Sequence, residues 1–290
     1  MGGKTKEGAF VKWRNISFIL LFLLALLVWY PLCMLLTGAL CSTPELAQRL
    51  GGVLGDTGAL ASWPLLTVRP TLKHIVALLL DTPEFYRVFW NSIIQTAPSI
   101  LGQIAVGAPA AWALSQYRFK GKNALMWLYI VLMILPFQVT MASSYIVLNT
   151  LRLVDTHLSI ILPAIFSAFP VFIMTKFFGK IPSAVLEAAR IDGASEARLF
   201  FTIGLPMGLP GVLSAALLGF VECWNAVEQP VTFLKAISLY PLSIFLPETT
   251  LGNAGITFVC ALITLLPAAL VFLYGQQYLE QGIIASGLKE

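Results

Sequence analysis

The sequence predicts an all-α membrane protein with six transmembrane helices and both termini in the cytoplasm. Three observations carry that reading. The chain of 290 residues is 58% hydrophobic and only 11% charged, whereas soluble domains run near ~45–50% apolar and ~25% charged. It contains six apolar runs, each close to the ~20 residues that cross ~30 Å of hydrocarbon. Its lysines and arginines fall mainly on one side of those runs. The net charge of +4 is a matter of membrane orientation and not of nucleic-acid binding.

The first run, Ile16 to Leu40, comes after Lys4, Lys6, Lys12 and Arg14. It is much longer than the ~7–15-residue core of a cleaved signal. Leu40 stands before Cys41, where a lipoprotein site needs a small residue, so an uncleaved first span is expected. Five further runs lie near Phe89–Ser115, Ala124–Leu148, His157–Phe177, Leu205–Val227 and Ala254–Tyr278. With the amino terminus inside, 12 of the 18 Lys and Arg residues are cytoplasmic, in 1–15, 117–123, 178–204 and the tail, counting Lys176 at the end of the fourth span. The expected organisation is a leader over 1–15, a span over 16–40 and an extracytoplasmic segment over 41–87. Next comes a five-span core over 88–280, with a cytoplasmic loop at 181–204, and then a tail over 281–290. In the outer segment, 72–80 reads as a short helix, 81–84 as a helix start and 51–58 as loop. Prolines 31, 98, 109, 136, 163 and 170 fall inside spans and predict kinks. Gly204-x-x-x-Gly208 predicts a close helix contact.

The stretch EAARIDGASEARLFFTIGLP, 187–206, carries five charges in an otherwise oily chain. Each would cost roughly 2.5–3.5 kcal/mol near a bilayer centre, so the stretch belongs in water or against a protein. Ser183 or Pro182 is placed to start a helix, Gly193 to break it, and Asp192 or Ser195 to cap the next helix. A short helix, a tight turn and a second helix leading into the fifth span are expected. Ala188, Ala189, Gly193 and Ala194 leave little bulk, so a partner's backbone can come close. Glu187, Arg190 and Asp192 offer charged hydrogen bonds at the rim. An ordinary amphipathic loop would have the same composition.

The spacing Glu187-Ala188-Ala189, Gly193, then Ile203-x-Leu205-Pro206 resembles the EAA signature of permease subunits of bacterial ABC importers. The string EAARIDGAS is similar to the carbohydrate-uptake branch in particular. So are Asn91-Ser92, Tyr117-Arg118-Phe119-Lys120-Gly121-Lys122, Leu135-Pro136-Phe137-Gln138, Trp224-Asn225 with Pro230, and the tail from Gln277 to Lys289. The resemblance covers roughly 85–290 and is strongest to the smaller permease of maltose-type heterodimers. It implies a type I ABC importer permease fold in the bacterial inner membrane. It also implies a second homologous permease subunit, two ATPase subunits that bind ATP and Mg, and an extracytoplasmic solute-binding protein. Glu187, Ala188, Ala189, Asp192, Gly193 and Ala194 correspond to the coupling helix that sits in a cleft of the ATPase. The relatives carry mono-, di- and oligosaccharides, polyols and glycerol phosphate esters. Two departures stand out. Ser286-Gly287-Leu288-Lys289 replaces the usual Gly-Ala-Val-Lys, and Glu228 stands where the family has an apolar residue.

Glu222 lies about 17 residues into the fifth span, ~25 Å along a helix and so toward the outer face. There it either lines the outer cavity or bonds to the sister permease; Trp224 and Asn225 are candidates for the same pathway or interface. Trp112, Trp127 and Trp224 are also candidates for stacking on a sugar ring, against the alternative of packing or interfacial tryptophan. The cysteines at 33, 41, 223 and 260 have no metal or disulfide spacing, and His74 and His157 stand apart, so no metal or catalytic site is expected. No G-x-x-x-x-G-K-[ST] string occurs, so a phosphate-binding loop must come from another chain. The rival reading is a self-contained secondary transporter or channel. Such a protein places paired ionisable groups near the midplane and shows repeated helix sets; neither is present, and it leaves the charged loop unexplained. A membrane-embedded enzyme would need clustered acid–base or metal-ligating residues.

Overall fold

The structure is a computed structural model that describes residues 4–54, 66–245, 250 and 252–287. Among these there is helix, turn and coil but no strand. Among the described residues five helices are long and apolar enough to cross a membrane, and six spans result when one sharply bent pair is counted as a single crossing. The helices group into two compact units: residues up to Pro83 with 254–263, and Glu84–Phe245 with 264–287.

In the first unit, α1 (Lys4–Leu40) leads into α2 (Thr43–Leu54), and α3 (Lys73–Leu80) matches the short helix expected there. α2 corrects the reading of 51–58 as loop, since Gly51–Leu54 are helical and 55–58 lie outside the described residues. The helix is held from its side chains. Arg49, 5% exposed, pairs with Glu45 one turn back and donates to the Leu66 carbonyl at 2.7 Å. The Glu45 carboxylate in turn accepts from the Val68 N–H at 2.9 Å. His74 is buried on α3, where its ring lies against Gly255.

The second unit contains α4 (Pro83–Gln116) from Glu84 onward, α5 (Lys122–Ile134), α6 (Phe137–Thr150), α7 (Leu158–Ile165) and α8 (Ala168–Phe178). It continues through α9 (Ser183–Ile191), α10 (Glu196–Leu199), α11 (Leu205–Trp224) and α12 (Glu228–Phe233) to the later part of α13 (Ala254–Gly287). Its core is the packing of α11 along α8. Gly208 permits it, since a Cβ there would run into the Phe178 ring, while Gly204, just before α11, lets the chain close on α4, where a Cβ would stand 2.6 Å from the Trp112 ring. Trp112 meets Phe178 edge-on at 5.6 Å and Phe200 at 5.8 Å. The third crossing departs most from the sequence reading. The kink expected at Pro136 is a turn of 102° between α5 and α6, with Pro136 extended at φ −67° and ψ 148°. The fourth crossing is broken at Phe166-Ser167, between α7 and α8.

Polar residues of the spans tie down the outer connections. Asn91 donates to the carbonyls of Ser238 and Tyr240 at 2.8 and 3.0 Å, and Ser92 accepts from the Leu242 N–H. Gln95 donates to the Leu239 carbonyl at 2.9 Å. Asp155, in the left-handed region at φ 64°, accepts from the N–H groups of Ala236 and Lys235, which hold its carboxyl below the usual range. These bonds satisfy backbone groups that would otherwise be stranded near the membrane. α13 runs through 281–287, where the tail was expected to begin; 288–290 lie outside the described residues.

Candidate coupling loop and translocation cavity

Pro182, extended at ψ 130°, opens α9, and Gly193 closes it with φ +82°. The Gly193 N–H donates to the Arg190 carbonyl and the Ala194 N–H to the Ala189 carbonyl, which satisfies the last turn in the manner of a glycine cap. Of the two candidate caps for the next helix, Ser195 acts: its hydroxyl accepts from the Arg198 N–H at 3.3 Å. α10 then passes through a π-helical turn, Phe200–Gly204, directly into α11. The expected helix, turn and membrane-directed helix are all present.

Leu186, Leu199 and Phe200 are buried in the same core as Trp112, Ile173 and Phe178, so the loop is seated on α4 and α8. Tyr117, at the end of α4, donates to the Glu196 carboxylate at 2.7 Å, and Arg190 pairs with the other carboxylate oxygen at 2.9 Å. The bond to Glu196, and then burial, push the Tyr117 phenol above its ordinary range. An exposed Arg–Glu pair contributes only ~0–1 kcal/mol, so its effect here is to fix direction. It joins α9, the turn and α4 as one block. Lys122 donates to the carbonyls of Ser115 and Tyr117 at 3.2 and 3.1 Å, finishing α4.

Outward from that block, Glu187, Ala188, Asp192 and Gly193 are exposed, and Ala189 and Ala194 are half-buried beneath them. Ile191 was not singled out by sequence, yet it is 86% exposed at the end of α9. An isoleucine held in water on a rigid helix end, beside small residues and a charged rim, has the form of an interface anchor.

The second feature is a cavity of about 370 Å³ where the breaks of the third and fourth crossings meet the end of α11. Its polar lining includes Gln103, Thr140, Ser144, Ser167, Glu222 and Gln229. Of the sequence candidates the cavity receives Glu222 alone. Trp224 is buried, with its indole N–H donating to the Thr264 carbonyl at 3.2 Å and its ring stacked on Phe220 at 5.5 Å. Asn225 donates to the Val221 carbonyl one turn back. Trp112 also packs internally, and Trp127 is exposed on α5. Glu228 is engaged by Gln138, whose amide donates to its carboxylate. Gln103 was missed; a glutamine in the middle of a long apolar run was the available signal.

A helical bundle with interrupted crossings, a polar cavity at the interruptions and a charged loop seated beneath them is the architecture of a membrane transport component. The chain matches the family of binding-protein-dependent transport system inner membrane components over residues 103–285, and it belongs to that family. It is therefore a multi-pass inner-membrane permease subunit of an ABC importer, and ATP hydrolysis belongs to a separate subunit. It is 28% identical to the arabinooligosaccharides transport system permease protein AraQ of Halalkalibacterium halodurans, over 76% of this chain and 80% of that one. It is 32% identical to a probable ABC transporter permease protein of Pyrococcus horikoshii, over 77% and 83% of the two chains. The fold matches a chain of a bacterial ABC transporter involved in the import of the acidic polysaccharide alginate. There the TM-score is 0.76 at 19% identity, covering 93% of this chain and 97% of that one.

Proposed function

We infer that this chain forms half of the translocation pathway of a carbohydrate importer, paired with a second homologous permease. In this reading two ATPase subunits carry ATP and Mg, and a solute-binding protein delivers cargo from outside. The arabinooligosaccharide cargo in the name of one relative supports the carbohydrate class, as does the EAARIDGAS string. The observation that carries the coupling role is the rigid seating of 187–194 against α4 and α8 with its small-residue surface turned outward. Closure of two ATPases pushes α9; because Leu186 and Leu199 are locked in the core, α8 and α11 move with it, and the cavity between the broken crossings changes its opening. The charge distribution supports a cytoplasmic position for that loop, on the side where the ATPases would bind.

Gly193→Asp tests this. Nothing stands within 4 Å of a Cβ at Gly193, and the strained φ costs only about 1–2 kcal/mol, confined to a turn in water. The variant is expected to be inserted at wild-type level while uptake falls at least about tenfold, because an extra carboxylate stands in the cleft contact. ATP hydrolysis is then no longer stimulated by the binding protein. Normal uptake by this variant would remove the coupling assignment.

A further inference from the structure

We propose that His157 is a pH-sensitive latch on the outer connection 235–242, closed while its ring is neutral and opened when the ring takes up a proton. The residue stands just before α7, outside the crossing Leu158–Phe178. Its Nδ1 lies 3.2 Å from Gln95 Nε2, and the same Nε2 donates to the Leu239 carbonyl at 2.9 Å. One amide of α4 therefore ties the head of the fourth crossing to the connection that follows α12. The distribution of Lys and Arg puts this cluster on the outer face, where the acidity is that of the surroundings.

The bond to Leu239 decides the direction of the bond to the ring. A carbonyl only accepts, so Leu239 fixes which end of the Gln95 amide is nitrogen. That nitrogen brings only hydrogens, so Nδ1 accepts and the neutral ring carries its proton on Nε2. A protonated ring is a donor at both nitrogens, and its Nδ1–H then points at an NH₂ group. Turning the amide over would set Oε1 against the Leu239 carbonyl, so one bond is lost either way. Gln95 is buried, and a buried polar group deprived of its partner is costly.

The other ties on the connection do not titrate with the ring. Asn91 and Ser92 hold Ser238, Tyr240 and Leu242 through neutral groups. Asp155 accepts from the N–H groups of Ala236 and Lys235, which hold its carboxyl below the usual range, so it stays charged where a histidine protonates. The surrounding elements bring further ionisable groups: Arg87 on α4, Tyr145 on α6, Arg152 before His157, Glu228 on α12, and Lys235 and Tyr240 on the connection itself. Among the described residues no ion pair joins any of them to the ring, and burial lowers its proton affinity. Above the ordinary histidine value of ~6.5 the ring is neutral and the latch holds. As pH falls below that value, the released form takes up the proton first, so the balance moves toward release.

Hydrogen exchange of the complete assembly in lipid nanodiscs reads the latch, at about pH 7.5 and about pH 5 and corrected for the chemical exchange rate. Exchange over 237–242 is expected to rise at least about fivefold at the lower pH, while Lys235 and Ala236, held by Asp155, keep their rate. His157→Asn places a non-titrating oxygen where Nδ1 accepted, and is expected to hold 237–242 at the slow rate at both pH values. His157→Ala is expected to exchange fast at both. A flat wild-type profile, a pH step that survives in His157→Asn, or a rise that includes Lys235 and Ala236 equally overturns the latch. The exchange rates do not depend on the permease reading, so the two fail separately.

Discussion

Ile191→Glu is expected to strip the ATPase from the purified assembly and to reduce uptake by more than about a hundredfold. Ile191 is 86% exposed, so truncating it removes almost no packing within this chain. Docked, it has a full side chain to bury, a contribution of about 1.5–3 kcal/mol. A carboxylate in its place adds a desolvation penalty of several kcal/mol unless the cleft offers a cation. Even ~3 kcal/mol in total is more than a hundredfold in affinity. The measurement is the ratio of ATPase to permease after gentle solubilisation, with membrane abundance of the variant as control. Unchanged co-purification would mean that Ile191 faces water in the assembly and that the contact lies elsewhere on the loop.

The largest effect on folding is expected from Gly204→Val combined with Gly208→Val. Gly204, just before α11, meets the Trp112 ring of α4, and Gly208, on α11, meets the Phe178 ring of α8; both rings are buried. Trp112 cannot swing aside, because Phe178 and Phe200 hold it at 5.6 and 5.8 Å. Overpacking costs about 1–3 kcal/mol per site, and the sites are one turn apart on one seam, so about 4 kcal/mol is a large part of the ~5–15 kcal/mol available. The loss of folded chain is read as severalfold lower yield after solubilisation and a lower unfolding temperature. Gly51→Ala is the control, since nothing stands within 4 Å of a Cβ there. If the double variant matched Gly51→Ala, the close approach of the 204–208 turn to α4 and α8 would be wrong.

Much of this architecture is legible in the residues, because the terms that decide it are local. Span length, the cost of charge in hydrocarbon and the helix-breaking Gly193 need no tertiary information, and α3, α9 and the start of α4 at Pro83 come from them. The features that escaped the sequence depend on contacts. Pro136 announces a kink, but the 102° turn is fixed only with partners such as Phe233, which meets Phe137 edge-on at 5.8 Å. Gly51 and Gly52 suggested a loop, while the Arg49 bonds to Glu45 and the Leu66 carbonyl hold α2 through to Leu54. Ile191 was not singled out in the sequence; its exposure appears only once Leu186 is seen to take the buried face. For Glu222, Trp224 and Asn225 the sequence gives proximity but not direction. Two residues, ~200° of helix, separate a carboxylate in the cavity from an indole in the core.

The most direct test of the central claim is the composition of the native assembly, purified in a gentle detergent at native expression and weighed intact. The account predicts one copy of this chain, one membrane partner of similar size and two copies of an ATPase. A chain that emerged alone or as a homo-oligomer, and still moved solute without ATP, would contradict it and establish the self-contained transporter in its place.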